Sequence, residues 1–521
     1  MRLSNFLVGM LACAAITACS NDDNGNATNN GSESDGNTYL AVNLVANNDA
    51  MTRAFENGTT GESGVSSARF YFFNNSGQPC SVTATGQNYI DVAGTAFTNW
   101  TQNPEESNSN IEYRSNAVLV INNQNTAPTS TVVILNPPTN VLGSDNRNLT
   151  SLRNLVANYA SYTNDNNFVM SNSVYVNGNN VIETATNIQD YLESDNDAAM
   201  SNPVDIYVER VVAKVRVTYG SQNNFNTSAT FNSNPVYAKV LGWTLAYTKP
   251  DSYTLKNLAD TWIGSAPFTS WNDAQKHRSY WAQGTTTAVT NTNAWNSITN
   301  NTALYCNENA GDNNTTPTEL LVAAQLVSDE TGNTPVEIAE IMGQQMTVEG
   351  LKNWILNALQ QQHPIYYLSN SPDTYETIQP EHISFRRGTS SETEIESYEV
   401  VACIDDDAPQ LYVRTSTNPD NFATIDDATV NDYLDDYIAQ IWENGQTYYH
   451  VAIEHLGNME AIVRNHLYDI TISGITGLGT PVYDPTQIIV PEDVVDRNSY
   501  LSARINILAW NVVSNDVTLG Q

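Results

Sequence analysis

Short runs in which apolar and polar side chains alternate recur along this chain, separated by turns rich in Asn, Thr, Ser and Gly. Such alternation places successive side chains on opposite faces of an extended strand. In the first half Tyr39–Ala46 (YLAVNLVA), Val65–Phe73, Ala117–Ile121, Thr131–Leu135, Ser173–Val176 and Asp205–Tyr219 (DIYVERVVAKVRVTY) read as strands. In the second half Val236–Thr248, Leu320–Leu326, Tyr448–His455 and Ile462–Ile475 do the same. Many short strands with polar turns specify a mainly β chain of the sandwich type. Helical spacing is confined to Asn148–Tyr159, to Val348, Leu351, Ile355 and Leu359 behind an N-cap at Thr347, and to a run from Val430 to Trp442 that Gly445 should stop. No period of roughly 20 to 50 residues recurs, which excludes a repeat array.

The 521 residues suffice for several domains. The Asn-rich stretch Ser221–Pro235 reads as strandless and marks a domain boundary. The net charge is −35, from 56 acidic against 21 basic residues. That field repels nucleic acid and anionic lipid, so neither is expected as a partner.

The N-terminus reads as an address. Met1-Arg2, a short apolar run from Phe6 to Ile16, and Ile16-Thr17-Ala18-Cys19 form an export signal ending in a lipobox, with Cys19 as the lipid acceptor. A polar tether follows to Thr38, and then the Tyr39–Ala46 strand, with Leu40, Val42 and Leu44 on one face. Arg53, the first basic residue after Arg2, lies with Ala54 in a polar loop behind that strand. This is a suitable site for an Arg-specific protease, or a plain surface arginine. Arg69 is a second candidate cut, placed inside a strand.

The C-terminal stretch Tyr500–Leu519 (YLSARINILAWNVVSNDVTL) is apolar on both parities. Ile505, Ile507, Val513, Val517 and Leu519 share one, and Leu508 and Trp510 fall on the other. Such a strand must find a sheet edge, either in its own subunit or in another one.

Catalytic signatures are missing: the sequence has no GxSxG elbow, phosphate loop or GxGxxG, and nothing in it argues for an enzyme or a cofactor. His450, Glu454 and His455 have the wrong spacing for a metal helix, and on a strand the two histidines point to opposite faces. Asp405-Asp406-Asp407 lacks the Gly and Glu of a calcium loop. No metal site is expected. Cys80, Cys306 and Cys403 leave room for one disulfide and one spare thiol.

Several ordered motifs carry a family resemblance. They are the lipobox, Thr52-Arg53-Ala54, YVERVVAKV at 207–215, HRSYWA at 277–282 and YCNEN at 305–309. Further on come VRNHLY at 463–468, GLGTPVYDP at 477–485 and LAWNVV at 508–513. Together they resemble the major subunit of the minor fimbriae of Bacteroidales, a type V pilin. The resemblance implies two transthyretin-like β-sandwich domains with a few short inserted helices, and no enzymatic role.

It also implies a division of the chain into a signal peptide at 1–19, a tether and removable strand at 20–53, an N-terminal domain at 54–222, a C-terminal domain at 223–500 and a donor strand at 501–521. The precursor would reach the outer membrane as a lipoprotein, held there transiently by its lipid. Cleavage after Arg53 would release the Leu40, Val42, Leu44 strand. The C-terminal strand of a neighbour, with Ile505, Ile507, Leu508, Trp510, Val513, Val517 and Leu519, would fill the groove. The expected partners are further copies of the chain, accessory pilins, an Arg-specific protease and a receptor on a host or bacterial surface. Two other roles stay open: a tip or anchor subunit of the same pilus, and a glycan-binding surface lipoprotein whose exposed aromatics would be grouped in a platform.

Overall fold

The computed structural model describes residues 37–47, 56, 58–102, 111–122, 126–164, 168–173, 175–177, 181–219, 223–257, 284–285, 287–288, 302–310, 316–331, 334–370, 374–388, 395–415, 418–455, 459–484, 500–508 and 513–515. The chain is mainly β and divides into two units. One takes in residues up to 47, 58–154 and 164–209; the other takes in 48–57, 155–163 and 210–521.

In the first unit three strands matter most: β1 (Asn37–Asn47), β2 (Ile111–Asn122) and β3 (Val204–Arg210). They belong to a nine-stranded sheet in the order Tyr89–Ala93, Ser67–Phe73, Ser130–Leu135, Met170–Asn172, β3, β1, β2, Thr98–Gln102, with Thr186–Asn187 beside Ser130–Leu135. Phe70 to Phe73 and Val132 to Leu135 are buried on both parities, so both faces of this part of the sheet are covered. Buried Asn side chains replace ladder bonds where the strands end. Asn136, at φ +50°, accepts from the Ser66 backbone N–H at 2.7 Å and donates to the Gly64 and Phe168 carbonyls at 2.8 and 2.9 Å.

The second unit is built on a sandwich. One sheet runs Ala303–Asn307, β4 (Val212–Thr218), β5 (Leu467–Thr476), β6 (Tyr500–Leu508), β7 (Val513–Asn515). The other runs Asn224–Phe231, Asn234–Ala246, Glu319–Val327, Gln446–Ala452, Thr480–Pro481. Val215 and Val217, Ile470 and Ile472 meet Val240, Trp243, Val322 and Tyr449 between them. Alternation along each strand supplies one residue in two to this core.

A lobe lies between Ile338 and Trp442, with its own five-stranded sheet, helices α1 (Val348–Gln362) and α2 (Asp427–Leu434) and a separate core. The expected cap holds: Thr347 Oγ1 accepts from the Gly350 N–H at 3.0 Å, and Leu351, Ile355 and Leu359 are buried.

Four expectations are corrected. Asp205–Tyr219 is two strands, β3 and β4, parted at Val211 and assigned to different sheets. The stretch read as a strandless boundary contains the strand Asn224–Phe231, bulged between Asn226 and Thr230, where Ser228 takes φ +61°. Asn148–Tyr159 forms only a one-turn helix, Leu149–Arg153, before a short strand at Val156–Ala157. The helix read from Val430 to Trp442 ends at Leu434, and Ile438–Trp442 is a strand between Ile338–Ile341 and Val400–Ile404. A ladder available on both sides outweighs local helical spacing there.

Candidate functional site

The two ends of the described chain are both strands, and they are held differently. β1 is paired on both sides. It runs antiparallel to β2, from Asn37 opposite Asn122 to Ala46 opposite Tyr113, and parallel to β3, from Val42 opposite Val204 to Ala46 opposite Val208. Leu40 and Val42 are fully buried, and Leu40 stands opposite Leu119, Val42 opposite Ala117. Leu44 has Ile206 as its backbone partner. The Tyr39 N–H donates to the Glu193 carbonyl at 2.7 Å and the reverse bond is 2.9 Å. Ala117, Leu119, Ile121, Val204, Ile206 and Val208 are all buried, so β1 lies in an apolar trough whose walls are two strand edges.

β6 pairs antiparallel with β5, from Tyr500 opposite Thr476 to Leu508 opposite Leu467, with a bulge between Ile472 and Gly474. β7 adds three residues, with Val513 opposite Ile507 and Asn515 opposite Ile505, and ends the sheet as its edge strand. Ile505, Ile507 and Leu508 therefore sit on a strand of their own subunit's sandwich, and Val513 sits on the short edge strand. Cys19, Arg53, Ala54, Trp510, Val517 and Leu519 lie outside the described residues.

Just downstream of Arg53 the chain is anchored. Glu56 pairs with Arg216 at 2.8 Å and with Lys214 at 3.6 Å, both on β4. Arg216 also grips Asp469 of β5 through Nε and Nη2 at 3.1 and 2.7 Å. Hydrogen bonding to Asp469, and then to Glu56, outweighs burial and pushes the Arg216 guanidinium above its ordinary range. The signal in the sequence was slight, since nothing distinguishes Glu56 from the other acidic residues until β4 supplies two cations.

Three of the quoted motifs, YVERVVAKV, YCNEN and VRNHLY, converge on one buried latch in the second unit, while HRSYWA lies outside the described residues. Arg464 is fully buried and donates through Nε and Nη2 to Glu308 Oε2 at 3.1 and 3.0 Å, and through Nη2 to the Tyr253 carbonyl at 2.6 Å. Its backbone N–H reaches Glu308 Oε1 at 3.1 Å. The Asn465 N–H donates to the Val212 carbonyl at 2.8 Å and the Lys214 N–H to the His466 carbonyl at 2.9 Å. The Val463 N–H donates to the Tyr468 hydroxyl at 2.7 Å, and His455 Nδ1 lies 3.0 Å from the same oxygen. Burial holds the Tyr468 hydroxyl well above its usual pKa. The arrangement is cohesive: its polar groups are turned toward one another and away from solvent.

His450 lies 3.5 Å from Glu319, apart from the His455 contact with Tyr468, and among the described residues no three His, Cys, Asp or Glu are gathered as metal ligands. The three described cysteines are free thiols, a state that the sequence left open. Burial pushes the Cys306 thiol up to about 12, so it is unreactive in the fold.

The sequence model of the family described as major fimbrial subunit protein type IV, fimbrillin, C-terminal, matches residues 440–516. No curated protein sequence matches the chain. Among solved structures, a fimbrilin of Porphyromonas gingivalis is 14% identical, with 92% of this chain and 99% of that one covered and a TM-score of 0.39. The tip fimbrial protein Mfa3 of the same species is 11% identical, covering 91% and 100%, at a TM-score of 0.29. A fimbrial assembly protein of Parabacteroides distasonis is 11% identical, covering 75% and 99%, at 0.30. Likenesses this distant decide nothing about function by themselves. Residues 440–516, the stretch that contains β5, β6 and β7, match the model of the fimbrillin family of fimbrial subunits, a likeness in the direction that the ordered motifs of a Bacteroidales pilin led one to expect.

Proposed function

We propose that this chain is the polymerising stalk subunit of a type V fimbria, a structural protein without enzymatic activity. It is exported as a lipoprotein on Cys19 and held at the outer membrane until an Arg-specific protease cuts between Arg53 and Ala54. The cut frees β1 together with the lipid. Loss of β1 exposes the edges of β2 and β3 and the apolar trough between them, and the C-terminal segment of a neighbouring copy fills it by strand addition. Accessory pilins join the same joints at the filament ends.

The observation that carries this reading is the double pairing of β1. It is the first described strand, it is bonded on both sides, and its Leu40 and Val42 are fully buried. Removing it opens a slot of one strand's width in a sheet that is otherwise paired. The Glu56 contacts to Arg216 and Lys214 support the placement of the cut, because they keep the new N-terminal side of the chain tethered after β1 has gone. The pairing of β6 along its whole length with β5 supports a donor that begins after Leu508, with β7 as the part that peels away, since three residue pairs hold it among the described residues.

Mass spectrometry of purified surface filaments tests the reading. Subunits should begin at Ala54, and Arg53→Ala should leave unpolymerised lipoprotein at the surface. Filament subunits that still begin at a lipid-bearing Cys19 would overturn it.

A further inference from the structure

The lobe between Ile338 and Trp442 carries a second sheet that assembly by strand exchange does not use. Its strands Tyr375–Thr377, Tyr366–Leu368, Leu411–Thr415 and Asn418–Ile425 are bonded in that order. One face closes the lobe core: Leu411 is buried, and Tyr367, Val413 and Ile425 pack against the same cluster. Register and alternation put the other parity on the opposite face. Tyr366 stands opposite Tyr412 and Thr377, Leu368 opposite Tyr375, and Arg414 opposite Phe422.

Four aromatic rings gather on that outer face. Tyr375 and Phe422 are stacked at 3.8 Å with 11° between their planes. Tyr366 meets Phe422 edge-on at 5.2 Å, and Tyr412 meets Tyr375 edge-on at 5.0 Å. The rings lock one another in place, yet all four are only half-buried, and Leu368 beside them is 42% exposed. The exposed Arg414 guanidinium lies over Tyr366 and Phe422, 5.1 and 5.6 Å from the ring centres. Among the described residues it makes no ion pair. In a chain with 56 carboxylate side chains against 21 cations, a guanidinium that pairs with none of the described carboxylates is set apart by its surroundings. Exposed Thr377 and Thr424 add hydroxyls at the edge.

We infer that this face binds an acidic saccharide. Sugar C–H groups lie against the aromatic ledge, and a carboxylate of the same glycan, as in a uronic or sialic acid, pairs with Arg414. The charge pattern selects this occupant. The molecule as a whole repels polyanions, so only a ligand whose single carboxylate is met locally gains from Arg414 while its neutral ring meets the aromatics. Ring faces mixed with Tyr and Thr hydroxyls suit a polyhydroxylated ligand better than a dry protein contact, for which charge would be excluded from the centre.

The test uses the full, unpolymerised chain, so its failure leaves the assembly reading untouched. Calorimetric titration with sialyllactose and with a disaccharide carrying one glucuronic acid should give binding that weakens as salt is raised, and lactose should bind more weakly. Arg414→Gln should remove the preference for the acidic sugars with unchanged circular dichroism and melting. Tyr375→Ala should weaken acidic and neutral sugars alike by about tenfold, a loss of about 1.4 kcal/mol. Absence of acidic-sugar binding, or equal affinity of wild type and Arg414→Gln, overturns the inference. So does sedimentation showing that the chain self-associates through this face and that Arg414→Gln releases the monomer.

Discussion

At the scale of single residues the molecule depends on a few buried polar groups that satisfy one another. Arg464 and Glu308 are 0% and 1% exposed at their side chains, and they tie the segment before β5 to the end of the Ala303–Asn307 strand. Taking one charge away strands the other in a dry site. Glu308→Gln should therefore cost about 3–5 kcal/mol, read as a fall in the urea midpoint of the second unit. His382 acts through pH instead. Burial lowers its pKa in the fold, against the opposing pull of Glu381 and Asp405, while its Nδ1 accepts from the Gln379 N–H at 3.1 Å. The unfolded chain thus takes up the proton first as pH falls below about 6.5, and stability declines from there until the folded form is protonated too. The drop in urea midpoint between pH values of about 7.5 and 5.5 should be smaller in His382→Gln than in wild type. Neither role was legible in the sequence: Glu308 meets a partner 156 residues away, and His382 is perturbed by a burial that only the folded lobe creates.

At the scale of elements, turns decide what local patterns leave open. Gly445, read from sequence as a helix stop, instead closes a tight turn with Asn444, both at positive φ, between two strands of the second unit. A side chain there would meet the Leu326 and Val336 carbonyl oxygens. Gly445→Ala should destabilise by more than about 1 kcal/mol, from strain and contact together, measured by thermal melting. The same region shows how far pattern could be trusted. Val430 to Leu434 is helical as its spacing predicts, but Ile438–Trp442 continues that spacing by coincidence and is claimed by two neighbouring strands. Asn224–Phe231 was invisible because Asn224, Asn226, Ser228 and Thr230 fill one parity, while on the other the buried Thr227 interrupts the row of Phe225, Ala229 and Phe231 that leans on the core. By contrast the Tyr39–Ala46 alternation was strong enough to locate β1 within a residue or two, and the parity of Leu40 and Val42 foretold their burial. What the alternation of β1 cannot carry is its neighbours: its place between β2 and β3 follows from residues about 70 and 160 positions away.

At the scale of the whole molecule the strand-exchange reading predicts a separation between folding and assembly. Because β6 holds to β5 through its whole length, deleting residues 509–521 should leave a chain with wild-type circular dichroism and melting that forms no filaments in negative-stain micrographs. Filaments from that deletion would overturn the assignment of the donor. The short link at Val211 has a mechanical consequence for such a filament. β3 and β4 follow each other with one residue between them, each bonded to neighbours within its own sheet. Traction by flowing liquid on an attached cell would pass from one sheet into the next through a segment with no slack to uncoil, so the stalk should resist stretching like a cord and not like a spring.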